Sequence, residues 1–341
     1  MKKNKAIEGY RGLMCLWVIL FHYTVRYEQI FNQSLDLPVT FPNGGICGVA
    51  AFLVISGFFI ANSLESLSNG NISNKLEWIK KKLIRLYPAY WCATTLTFIS
   101  LTLFPLENID VNWKAYLVNM VFIYHPGVQY VEGAHWYLSA LFIGYVFFAA
   151  TSFINNKDLP VVMFAISCLC VAINLYCKNE IFQHSTIINK LQHFLYLKYI
   201  PLMILGYYLF LYYKERNTTI IAYLIMSAFM ALIINANVIV IMAIVLAITA
   251  LLLLEHNYWC NWIFNNTIMQ IMGKVSFPWY LIHQRIGYQI INNIDTPSSM
   301  GEGIAVIIAL VVTFILAYYI TTIIEPLIVK RINHQDIKRA K

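Results

Sequence analysis

The sequence predicts an all-α polytopic membrane protein of about ten transmembrane helices with both termini in the cytoplasm. Three observations lead there. The 341 residues are 60% hydrophobic and 12% charged, with a mean hydropathy of +0.63, and that is about half the charged fraction of a soluble domain. Apolar runs of about 18 to 24 residues, each long enough to cross roughly 30 Å of hydrocarbon, recur from end to end. The basic residues gather mostly in short connections and at the two ends, as membrane orientation requires.

The first apolar run, 8–27, follows "MKKNK". It is long and lacks a small-residue cleavage site, so it reads as a retained helix and not a signal peptide. The second, 45–65, is crowded with glycine and alanine, and the third, 84–104, grows out of the basic stretch "KLEWIKKKLIR" (Lys75 to Arg85). Further runs occupy 136–154, 159–177, 194–213, 219–235, 238–254, 268–292 and 303–324. With the amino terminus inside, Lys2, Lys3, Lys5, the 75–85 stretch, Lys157, Lys214, Arg216 and the tail "KRINHQDIKRAK" all fall on the cytoplasmic side. The outer connection 28–44 has no lysine or arginine, and 105–135 has only Lys114. Two connections fit less well: 178–193 is outside yet holds Lys178 and Lys190, and 255–267 is inside with neither cation. Residues 1–330 form one transmembrane domain and 331–341 a basic cytoplasmic tail. Segment 105–135, with Trp113, Tyr116 and "FIYHPGVQY" (Phe122 to Tyr130), suits an interfacial stretch over the membrane mouth.

The net charge of +8 does not point to nucleic acid, because no basic face is interleaved with aromatics. Seven cysteines (15, 47, 92, 168, 170, 177 and 260) are odd in number, lie mostly in apolar segments and show no Cys-x-x-Cys spacing. They imply neither a disulfide framework nor a metal site. His125 and His135 are ten apart with no acid or cysteine to complete a ligand set.

The chemistry begins in "EGYRGLMCLWVILFH", Glu8 to His22. Eleven helical positions return to within about 20° of the start, so Arg11 and His22 share a face about 16 Å apart along the axis. Glu8 extends that face by one turn. Arg11 alone is an ordinary positive-inside anchor, and His22 alone is a histidine bonded to a neighbouring helix. Together they suit a passage in which a long anionic donor is held at the inner end while its reactive group reaches a base farther out.

Other stretches carry paired readings. In "GGICGVAAFLVISGFFIANSL" (Gly44 to Leu64) small residues favour close helix packing, with room for a ligand at Ser56 and Gly57 as the alternative. Lys82 and Arg85, one turn apart, fit an interfacial helix or a phosphate clamp. Trp136 in "HWYLSALFIGY" fits an aromatic belt. In "SFPWYLIHQRIGY" (Ser276 to Tyr288), Pro278 kinks the helix while Tyr280 and His283 share a face at a depth matching His22, so the two histidines could line one cavity. "IIEPL" ends the tenth span at Glu325, either as a polar stop or as a partner for a cytoplasmic cation.

Taken together, these stretches resemble the acyltransferase-3 family of integral membrane acyltransferases over essentially the whole chain. The family's acid-Gly-x-Arg-Gly opening and the histidine after ten further residues are matched by Glu8, Gly9, Arg11, Gly12 and His22, with glutamate for the usual aspartate. Its "FFxxSGFxI" run is matched by "FLVISGFFI" (Phe52 to Ile60). Its Arg-x-x-Arg-x-x-Pro pattern is matched by Lys82, Arg85 and Pro88, where lysine keeps charge but loses the bidentate fork. "YLIH" is matched by Tyr280 to His283 and the Glu-Pro ending by Glu325 and Pro326, whereas the family's "WSLSVE" appears as "WYLSAL" (Trp136 to Leu141), without the glutamate.

The resemblance implies a ten-helix enzyme of the bacterial cytoplasmic (inner) membrane. It takes acetyl from acetyl-CoA, a substrate and not a bound cofactor, and delivers it to a hydroxyl of an outer surface polysaccharide: O-antigen of lipopolysaccharide, capsule or exopolysaccharide. Larger relatives add an SGNH hydrolase-like domain; this chain reads as the standalone form. On that reading Arg11, Lys82 and Arg85 hold the coenzyme A phosphates, His22 is the base and Glu8 orients Arg11. Tyr280, His283 and Trp136 bind the acceptor or the intermediate, with Ser56, Gly57 and Glu325 nearby. A covalent acyl-histidine relay fits the same residues. A proton-coupled transporter or lipid-linked sugar carrier is the competing class, though no inverted repeat is visible. A helical scaffold is a third.

Overall fold

The computed structural model describes residues 5–64, 67, 71–121, 128–178, 186–254, 258–294 and 299–330. The basic tail 331–341 and His125 lie outside them. Among the described residues the protein is helical, with no strand. In chain order the helices are α1 (Lys5–Phe21), a π-helical turn (His22–Arg26), α2 (Tyr27–Phe31), α3 (Gly44–Leu64), α4 (Ile72–Leu103), α5 (Trp113–Asn119), α6 (Trp136–Thr151) and α7 (Leu159–Lys178). They continue with α8 (Thr186–Phe194), α9 (Ile200–Glu215), α10 (Thr218–Ile234), α11 (Ile239–Leu253), α12 (Tyr258–Phe264), α13 (Thr267–Asn293), α14 (Ser299–Tyr319) and a second π-helical turn (Ile320–Ile324).

A helix occupies each of the ten intervals expected from the sequence. Among the described residues, five stretches are long and apolar enough to cross a membrane alone: Gly44–Leu64, Gly133–Thr151, Leu159–Lys178, Ala236–Leu253 and Gly301–Lys330. The bent pair Ile187–Phe194 and Leu197–Glu215, at 55°, makes a sixth if it counts as one span. The remaining helices fall short for physical reasons. α1 and α10 have 17 residues each. α4 carries the lysine cluster, and α13 carries Lys274, His283, Gln284 and Arg285. Polar side chains that serve a site lower the hydropathy of the helix that holds them.

Two boundaries differ from the sequence reading. The basic stretch and the third span are one continuous helix of 32 residues that runs through Pro88. The last span does not stop at Glu325; helix continues to Lys330. Pro326 would crowd the carbonyl four residues back in a regular helix. The π-helical turn immediately before it widens the helix there, and Thr321 and Thr322 donate back to the Ala317 and Tyr318 carbonyls at 2.8 and 2.7 Å.

The chain divides into two compact units. One comprises Met1–Gly48, Lys81–Trp136 and Phe264–Lys341; the other comprises Val49–Lys80 and Tyr137–Ile263. In the second, α9 packs on α7 and α10, and Tyr208 stacks on Tyr223 with ring centroids 5.5 Å apart. Gly57 of α3 lies against the Met203 backbone of α9, where a Cβ would have no room. Asn217 caps α10 by accepting the Thr219 N–H at 2.9 Å.

The first unit is built on α1, α13 and α14. α13 starts where Asn266 accepts the Met269 N–H at 3.0 Å, and α1 packs along its length. Gly12 meets Gly273, Cys15 donates to the Ser276 carbonyl at 3.2 Å, and His22 meets His283. Each pair is separated by 261 positions, so the two helices run parallel and in register. A Cβ on Gly12 would stand 2.6 Å from Gly273 N and 2.7 Å from Met272 C. The small residues therefore set the distance between the backbones. α14 returns antiparallel along α13, where Trp279 donates to Thr313 Oγ1 at 3.0 Å and lies edge-on to Phe314.

Candidate active site

The sequence "FHYTVR" would continue α1 as a regular helix, but the turn widens at His22–Arg26, closing with the Tyr27 N–H on the His22 carbonyl. Thr24 supports it by donating to the Leu20 carbonyl at 2.7 Å while accepting the Phe41 N–H at 3.1 Å. Adjacent residues His22 and Tyr23 both face α13 as a result. Tyr23 is fully buried; its hydroxyl donates to the His283 carbonyl at 2.8 Å and lies 3.4 Å from Thr313 Oγ1. Gly287 leaves the space that the Tyr23 ring occupies. π-helical turns of this kind recur at functional sites.

The two histidines meet within this frame. His283 Nε2 lies 3.2 Å from His22 Nδ1, with ring centroids 4.9 Å apart and planes at 67°. His22 Nδ1 also lies 2.8 Å from the Val18 carbonyl, and His283 Nδ1 2.8 Å from the Tyr280 carbonyl. A carbonyl only accepts, so each Nδ1 carries the hydrogen in the neutral ring. His283 Nε2 is then a bare acceptor turned toward His22. His22 Nε2 is left as an unshared lone pair on a half-buried ring, whereas His283 is fully buried. Arg26 and Arg285 lie within electrostatic range of His22.

The segment before α6 clamps the same turn of α13. Leu281 C=O and Arg285 N–H are the two ends of one helical hydrogen-bond position. The His135 ring nitrogen Nε2 lies 3.0 Å from that carbonyl, and the Glu132 carboxylate accepts that N–H at 3.1 and 3.2 Å. Tyr280 donates its hydroxyl to the Ala134 carbonyl at 2.9 Å. Glu132 and His135 are both fully buried, and the His135 ring packs on Tyr90 at 4.8 Å. Tyr90 in turn donates to the Asn119 carbonyl.

The other expected site residues fall into four places. Glu8 and Arg11 sit half-buried on α1, with the Glu8 backbone against Gly273 and the Arg11 charge bearing on Cys15 one turn away. On α4, Arg85 is exposed and its charge acts on both half-buried Lys82 and Glu325. Trp136 is half-buried directly after the clamp. Ser56 and Gly57 belong to the other unit, where Gly57 serves packing against α9. Sequence reasoning missed Glu132, Arg285 and Tyr23. Glu132 stood out only weakly, as one of several acids in 105–135, four residues before an apolar run. Among the described residues, no three histidine, cysteine or carboxylate side chains gather in a metal-ligating cluster.

This arrangement has the parts for proton transfer: an imidazole lone pair on a half-buried ring, a second imidazole behind it and a rigid backbone frame. No curated protein matches the chain, and no solved structure does. The model of the acyltransferase domain family matches residues 4–322 of the 341. That match takes in Glu8, Arg11, His22, Lys82, Arg85, Tyr280 and His283, and ends three residues short of Glu325. The chain thus belongs to the acyltransferase-3 family and is a membrane acyltransferase.

Proposed function

We propose that this enzyme moves an acetyl group from cytoplasmic acetyl-CoA to a hydroxyl of a bacterial surface polysaccharide on the outer side of the cytoplasmic membrane. The observation that carries the reading is the His22–His283 pair at 3.2 Å, with His22 Nδ1 committed to Val18 so that Nε2 is free to take a proton. Arg11 at the inner end of the same helix, with Lys82 and Arg85 on α4, supplies cations for the phosphates of the donor. The acceptor hydroxyl loses its proton to His22 Nε2 as its oxygen attacks the thioester carbonyl. The C–S bond then breaks, and the proton passes to the leaving thiolate, so the imidazole is restored and coenzyme A departs as the thiol. Tyr280, whose hydroxyl is committed to Ala134, holds the loop beside the acceptor, and Trp136 flanks it. His283 steadies His22 from behind.

Mass spectrometry of surface glycans from cells with and without the gene tests this. An added 42 Da per modified sugar, about the mass of one acetyl replacing hydrogen, is expected only with the gene, and restoring the His22→Ala variant should not bring it back. Identical glycans from both cells would defeat the proposal.

A further inference from the structure

The apolar side of α8 faces away from the protein. Ile187, Leu191 and Phe194 fall within about 60° of arc on a regular helix, and they are 81%, 49% and 42% exposed. Asn189 and His193 lie on the opposite face, and exposed Lys190 flanks the apolar stripe. Exposed apolar residues on α10, α11 and α14 need only the acyl chains that surround any span. α8 has nine residues and cannot cross.

Its depth is set by its neighbours. The span α7 ends at Lys178, shortly before α8 begins, and α8 packs against α7 and the Leu197–Tyr199 turn. Tyr196 takes a left-handed backbone, φ 50°, at the break that sets α8 at 55° to Leu197–Glu215. That last stretch is about 28 Å long at about 1.5 Å per residue, close to the hydrocarbon thickness without help from α8. α8 is therefore left at the bilayer surface.

The charge there is one-sided. From Ile181 to Tyr199 the sequence holds Lys190 and Lys198 and no acid. Lys198 lies within electrostatic range of Lys178, whose ammonium donates to the Ile234 carbonyl at 3.1 Å, a neutral partner. On the proposed orientation this is the outer connection whose lysines the positive-inside rule leaves unexplained. A lysine flanking an apolar stripe at the bilayer surface reaches the level of the headgroup phosphates.

We propose that α8 lies flat in the headgroup layer and binds anionic phospholipid: Ile187, Leu191 and Phe194 sink toward the acyl chains, while Lys190 and Lys198 hold headgroup phosphates. The lysines of this connection are then lipid anchors of the leaflet they face. The proposal is independent of the transfer reaction and needs only that the protein is embedded in a bilayer.

The test places a nitrobenzoxadiazole label at Ile187→Cys or at His193→Cys of the full-length protein in lipid nanodiscs. Wild-type protein taken through the same labelling gives the background from native cysteines. Phosphatidylglycerol or phosphatidylcholine bearing a shallow acyl-chain nitroxide quenches from the membrane, and iodide quenches from water. The 187 label should be quenched by nitroxide lipid and shielded from iodide, and the 193 label the reverse. Phosphatidylglycerol should be enriched about fivefold over phosphatidylcholine at the 187 label, the worth of one lysine near anionic headgroups. Lys190→Gln combined with Lys198→Gln should bring the two lipids level. Iodide reaching the 187 label would mean that the face is in water, and shielding from both quenchers that protein or a second copy covers it; either overturns the proposal. Equal quenching by the two lipids in the wild-type background, or a lipid preference that survives loss of both lysines, overturns the headgroup assignment.

Discussion

At the residue scale, one hydrogen decides which nitrogen of His22 can act. The Val18 carbonyl at 2.8 Å and His283 Nε2 at 3.2 Å both draw on His22 Nδ1–H, so with His22 as the proposed base, His283 is a positioning residue for it. His283→Ala should lower kcat about tenfold while the acetyl-CoA KM stays within about twofold, because the loss falls on the transition state and not on donor binding. His283→Gln presents an amide oxygen to the same hydrogen and should restore most of the rate. A KM that rises in step with the loss of kcat, or no rescue by glutamine, would mean that His283 contacts substrate. The histidine pair was legible in the sequence, since helical period and depth alone put both imidazoles at one level. The Glu132 clamp was not, because its partner is a backbone N–H of α13, and a carboxylate–backbone contact leaves no side-chain pattern to read. The π-helical turn was hidden for a similar reason: "HYTVR" holds only Thr24 as a hint, and a threonine donating back one turn is common in regular helix.

At the element scale, α1 and α13 depend on a small-residue contact. A side chain at Gly12 would meet backbone atoms of α13 at 2.6 and 2.7 Å, and backbone cannot swing aside as a side-chain tip can. Gly12→Leu should separate the two helices, lower the melting temperature of the purified protein and abolish transfer although His22 is intact; overpacking of this kind costs about 1–3 kcal/mol or more. A variant with wild-type melting and activity would show that the helices are not held at this distance. On the proposed reading, α1 also carries the donor cation, Arg11. Arg11→Ala should raise the acetyl-CoA KM by about tenfold to a hundredfold, the loss of one charge-assisted bond to phosphate, with kcat largely kept. An unchanged KM would remove Arg11 from donor binding. The glycines were visible in the sequence, but their partner helix was not: α13 lies 261 positions away, and no local pattern encodes so distant a pairing.

At the scale of the whole molecule, parallel packing of α1 and α13 constrains topology without a count of the spans between them. Two spans that run the same way in an alternating chain must be separated by an odd number of others. α14 then returns antiparallel to α13, so both termini lie on one side if all three helices cross. On the proposed orientation, the basic residues at both ends put that side in the cytoplasm. Fluorescent-protein and phosphatase reporters fused to either terminus should read cytoplasmic in both cases; a periplasmic carboxyl terminus would contradict the orientation. That a helix lies in each of the expected apolar intervals was legible because hydropathy needs only local windows. The continuation of the last helix past Glu325 was not, since Pro326 reads as a stop unless the widened turn before it is known.

The central claim is that the His22 imidazole in the α1–α13 seam takes the acceptor proton during acyl transfer. Its most direct measurement is acetyl-CoA-dependent release of free thiol by the purified protein, wild type against His22→Ala at matched folding. Wild type should release coenzyme A and the variant should fall by at least about a hundredfold, the usual contribution of a general base. Equal release by the two proteins, or none from wild type as a carrier would give, would contradict it.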